Sequence, residues 1–108
     1  MPRWLPKTLT RIRAFAVARK VRLTLKARSE LAALDLGLDE EDACDVLTKL
    51  TAEDSRGRLE STGTGEWMYL FKPVVAETTL YLKLVLRDDC VVVSFHEEEQ
   101  RGHAQDES

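Results

Sequence analysis

The sequence predicts an α+β fold in which N-terminal helices pack on one face of a mainly antiparallel sheet. Two features point there. Apolar residues recur at helical spacing as far as Asp54, and from Arg56 onward β-branched and aromatic residues take over, punctuated by turn signals. With 44% of residues hydrophobic and 32% charged, the chain can build a core, which excludes the disordered, collagenous and fibrous classes. Its 108 residues make one domain, expected over residues 1–97, followed by a disordered polar tail over 98–108. No apolar run approaches the roughly 18 to 20 residues that cross a bilayer, so no membrane partner is expected.

Leu5, Leu9, Ile12 and Ala16 predict an amphipathic helix over 7–19, after Pro6. Val21 to Leu25 reads as a short strand. Ala27, Leu31 and Leu34 mark a second helix, closed by Gly37 just past its end. Asp39 caps a third, with Glu40, Glu41 and Asp42 in the first turn and Ala43, Val46, Leu47 and Leu50 as its buried stripe. Helix-start chemistry, not metal binding, accounts for those four acids. Strands follow at Arg56–Ser61, Trp67–Val74, Thr78–Arg87 and Cys90–Glu97. The aromatic residues Trp67, Tyr69 and Phe71 share one strand face and are assigned to the core.

Charge is distributed unevenly. Residues 1–28 hold nine of the sixteen basic residues and no acid, leaving seven basic against nineteen acidic beyond. Such a start suits a polyanionic partner, although the arginines also fit the solvated side of a core helix. It shares features with a transit peptide but contains no serine and runs into a structured pattern, so a cytoplasmic protein is expected. Cys44 and Cys90 have neither disulfide-framework nor zinc-finger spacing.

The last hairpin carries the chemistry. If Asp88-Asp89 is its loop, Arg87 faces Cys90, Val85 faces Val92, Lys83 faces Ser94 and Tyr81 faces His96. Leu86 with Val91, Leu84 with Val93 and Leu82 with Phe95 then form the apolar face that the helices cover. Tyr81, Lys83, Ser94 and His96 would share the outward face, with opposed Cβ atoms roughly 4.5 to 5.5 Å apart. Arg56, Arg58 and Lys72 on preceding strands would extend a cationic surface. Polar residues belong on any half-exposed sheet face, so a purely solvated surface is the plain alternative. Imidazole, however, exchanges protons near neutrality, and cations beside it suit a phosphodiester. RNA carries its own 2′-hydroxyl nucleophile and needs a base, an acid and cations for phosphoryl charge. On these grounds His96, Tyr81, Lys83 and Arg56 are candidate catalytic residues, and Arg58 and Lys72 candidate phosphate-binding residues. No metal or other cofactor is expected, because His96, Glu97, Glu98, Glu99 and His103 lack ligand spacing and a rigid frame.

Val21-Arg22 with Thr24, Leu36-Gly37-Leu38-Asp39, Cys44, Val46, Trp67, Lys72-Pro73, Tyr81-Leu82-Lys83 and Val93-Ser94-Phe95 follow one another in an order and spacing that resembles the MqsR toxins. These are RelE-like messenger-RNA interferases of bacterial type II toxin–antitoxin systems. The resemblance spans about residues 8–98. It implies a RelE-like fold, metal-independent endoribonuclease cleavage of messenger RNA, and a cognate antitoxin as protein partner. Tyr81 matches the family's tyrosine. The family's lysine near the end of the last strand is His96 here, its lysine after the third helix falls on Gly57 between Arg56 and Arg58, and its glutamine after the tryptophan is Met68. Those departures leave an alternative: a non-catalytic RNA-binding or antitoxin-binding relative that retains the fold.

Overall fold

The computed structural model describes residues 1–98, so the expected tail lies, apart from Glu98, outside the described residues. Helix α1 (Leu5–Val17) begins with Pro6 in its first turn and buries Leu5, Leu9, Ile12 and Ala16. Its arginines face outward or serve structural roles; the Arg13 guanidinium donates to the Leu50 carbonyl oxygen at 3.1 and 2.6 Å. Strand β1 (Val21–Leu23) leads into helix α2 (Leu25–Ala33), whose cap is Thr24, with Oγ1 accepting the Ala27 N–H at 3.1 Å. Gly37 lies farther beyond α2 than the sequence suggested, and the first left-handed residue after the helix is Asp35, with φ of 60°. Helix α3 (Glu40–Thr48) starts in a capping box: Asp39 accepts the Asp42 N–H and Asp42 accepts the Asp39 N–H, both at 2.9 Å. That exchange is the reason for acids at both positions.

Among the described residues six strands form the sheet: five run in the order β1, β6 (Cys90–Glu97), β5 (Thr78–Leu86), β3 (Trp67–Phe71), β2 (Ser55–Glu60), and the sixth pairs with β5 alone. The pairings are antiparallel except that β1 runs parallel to β6. The segment expected as one strand over 67–74 is two. Lys72-Pro73 ends β3, and β4 (Val74–Val75) folds back on β5 through Ala76 and Glu77, whose φ values of 53° and 64° make a tight left-handed turn. The core sits between the helices and one sheet face, where Phe71, Leu80, Leu82, Leu84, Val92 and Phe95 meet Leu9, Ile12, Ala27, Leu31 and Leu47. Tyr69 and Phe71 are buried as expected, whereas Trp67 is exposed.

The hairpin register is correct in one half and shifted in the other. Leu80 faces Glu97, Tyr81 faces His96, Leu82 faces Phe95 and Lys83 faces Ser94, but then Leu84 faces Val92, Val85 faces Val91 and Leu86 faces Cys90. Val93 is an extra residue, a β-bulge, and the loop is Arg87-Asp88-Asp89. The bulge exchanges the predicted faces of residues 90–92: Cys90 and Val92 enter the core while Val91 turns to the other side.

Beyond Leu23 the outer edge of β6 has no strand beside it among the described residues, and Thr24 and α2 complete its hydrogen bonding instead. Thr24 N–H donates to the Val92 oxygen at 3.1 Å, Thr24 Oγ1 to the Val93 oxygen at 3.3 Å, and Phe95 N–H to Glu30 Oε1 at 2.9 Å. A carboxylate and a hydroxyl stand in for a neighbouring strand.

Candidate active site on the outward sheet face

Tyr81 and His96 are directly opposed on β5 and β6, their ring centroids 5.2 Å apart and their planes tilted by 37°. Both are half-buried. His96 Nδ1 lies 2.8 Å from the Glu97 carbonyl oxygen, which can only accept, so Nδ1 is the donor there and Nε2 is the ring nitrogen left to exchange a proton. Lys72 closes one side: its ammonium is 6.0 Å from the Tyr81 ring centroid and 2.6 Å from Glu98 Oε2. Lys83 stands two residues along β5 from Tyr81, paired with Ser94.

Ser94 does not lie open. It is 2% exposed, and its Oγ accepts the Lys26 ammonium of α2 at 2.8 Å. Lys26 also donates to Glu30 Oε2 at 2.9 Å. Burial pushes the Glu30 carboxyl up, but the Lys26 ammonium, the Phe95 N–H and the charge of His96 together hold it below the usual carboxylate range. Sequence reasoning missed this pair. Its only trace is the i,i+4 spacing of Lys26 and Glu30, which by itself signals no more than a helix-surface ion pair.

The arginines of β2 divide. Ser55 faces Phe71 and Arg58 faces Tyr69, so Arg56 and Gly57 together oppose Leu70, in the cross-sheet row of Lys83. Arg56 is two strands from β5, roughly 10 Å away. Its guanidinium donates to the carbonyl oxygens of Glu53 and Ser55 at 2.9 and 2.8 Å. Gly57 has φ of 95°, a conformation that disfavours any side chain at this bulge. Arg58, contrary to expectation, leaves the outward face. It shares the side of Tyr69, with its guanidinium carbon 4.8 Å from the Trp4 ring centroid and 3.8 Å from that of Trp67. Trp4, silent in the sequence, packs at 5.5 Å on Tyr69.

An opposed tyrosine–histidine pair on a sheet that follows three helices fits the sequence resemblance. A family model described as motility quorum-sensing regulator, toxin of MqsA, matches residues 6–97. The chain belongs to that family. It is therefore the toxin of a toxin–antitoxin system, and the family implies an antitoxin as partner. No curated protein matches the chain. Tyr81, His96, Gly57 and Met68 all lie within the matched residues. Met68 faces Leu59 on β2, on the side opposite Tyr69. No helix among the described residues is long and apolar enough to cross a membrane.

Proposed function

We propose that this toxin is a metal-independent endoribonuclease that cleaves messenger RNA in the cytoplasm, by attack of the RNA's own 2′-hydroxyl on the adjacent phosphorus. The observation that carries this is the opposed Tyr81–His96 pair with the Lys72 ammonium 6.0 Å from the Tyr81 ring centroid and Lys83 two residues along the same strand face. His96 Nε2 takes the 2′-hydroxyl proton as the new O–P bond forms. Lys83 and Lys72 face the charge that builds on the non-bridging oxygens, with Arg56 at the edge of the same face. The P–O5′ bond then breaks, and the Tyr81 hydroxyl gives its proton to the departing oxygen. One product ends in a 2′,3′-cyclic phosphate and the other begins with a 5′-hydroxyl.

Incubation of the purified protein with unstructured RNA in excess chelator tests this directly. Cleavage with those two end groups is expected. Intact RNA, or ends bearing 3′-hydroxyl and 5′-phosphate, overturns the proposal. Gly57 and Met68, where family lysine and glutamine side chains are missing, favour one alternative, an RNA-binding relative without chemistry. Salt-sensitive RNA binding without any cleavage would identify it.

A further inference from the structure

Helix α2 brings to the sheet face a cation that the strands do not contain. Lys26 lies in its first turn, with Nζ 2.8 Å from Ser94 Oγ and 2.9 Å from Glu30 Oε2, while 60% of its side chain is exposed. Ser94 pairs with Lys83. Lys26 and Lys83 therefore flank Ser94 from the two sides of β6, on the face that carries Tyr81 and His96. An ammonium has three N–H donors, and Ser94 and Glu30 take two of them. Glu30 keeps the Phe95 N–H at 2.9 Å when Lys26 turns toward another anion, so the ion pair can open without orphaning the carboxylate. Ser94 and His96 are two residues apart on one strand face, roughly 6 to 7 Å. That span is comparable with the step between successive phosphates of an extended nucleic-acid strand.

We propose that Lys26 binds the RNA phosphate next to the scissile one, so that the strand crosses β6 between α2 and Lys83. This rests on the ribonuclease reading and adds a second phosphate position to it. Single-stranded RNA is the ligand class, held through its backbone rather than its bases.

A 2′-O-methyl pentanucleotide, which has phosphates but no 2′-hydroxyl nucleophile, is titrated against the full chain and its Lys26→Gln variant over a salt series. Glutamine keeps an N–H for Ser94 and removes the charge. Binding is expected to weaken roughly three- to tenfold, and the slope of log Kd against log salt to shrink by about 0.7. With unmodified substrates, the variant loses more kcat/KM on a pentanucleotide than on a dinucleotide whose only phosphate is the scissile one. Equal affinities and slopes for the two proteins, or equal losses on the two substrates, overturn the subsite. A parent protein that leaves the unmodified pentanucleotide intact overturns the ribonuclease reading instead, and the salt slopes then still decide whether Lys26 binds phosphate.

Discussion

Lys83 faces Ser94, yet its neighbour Leu84 faces Val92, so Val93 is skipped between them. This one extra residue lets the hairpin close over three loop residues and place Cys90 and Val92 in the core, while His96 still emerges beside Tyr81. Without the bulge, one half of β6 or the other would present the wrong face.

Glu30 holds the strand that carries His96. Replacing it with Ala leaves the Phe95 N–H without its acceptor at a part-buried edge, and is expected to destabilise the fold by about 1 to 3 kcal/mol in urea denaturation. Glu30→Gln keeps an acceptor oxygen and costs less. The carboxyl is held below its ordinary 4.5 when folded, so its contribution is present above that pH and is lost as pH falls through the lower folded value. The stability gap between the parent and Glu30→Gln should therefore narrow on acidification below pH 4.5. A gap that widens would contradict this role.

Arg58 is a structural cation between two indoles. Arg58→Ala should lower stability by about 1 to 2 kcal/mol and alter tryptophan fluorescence, because the guanidinium is removed from both ring faces. RNA affinity of the folded fraction should not follow that loss. Parallel losses would return Arg58 to the RNA surface.

Burial pushes the Cys90 thiol up to about 12 and also raises that of Cys44. Both are buried, unbonded thiols. Since the thiolate is the reactive form, neither should react with a disulfide reagent at pH near 8 until guanidinium unfolds the chain, when both should. Rapid labelling of the native protein would show that the helix–sheet packing opens.

Much of this architecture is legible in sequence, because helical spacing changes to alternation near Asp54 and because Asp39 and Asp42 spell out a cap. The bulge is not, since Cys90, Val91, Val92 and Val93 are all apolar and satisfy either sheet face equally well. The parallel partner of β1 is equally hidden: three residues carry no signal of a strand almost seventy positions away. Ala76-Glu77 lacks the glycine or asparagine that announces a left-handed hairpin turn. At the site, Tyr81, His96 and Lys83 follow from alternation in the half of the hairpin that keeps its register. Lys26 and Glu30 do not, because charged residues on an amphipathic helix look solvated until the helix is seen lying along a strand edge. Arg58 was misplaced because an unseen bulge at Arg56 and Gly57 turns it over.

The single-turnover cleavage rate of His96→Ala on unstructured RNA, measured beside its thermal unfolding midpoint, probes the Tyr81–His96 chemistry most directly. The rate should fall by about 10²- to 10⁴-fold, the range contributed by a positioned general base, while the midpoint moves little because the ring lies on the outward face. A folded variant that cleaves as fast as the parent would show that the imidazole opposite Tyr81 takes no part in the reaction.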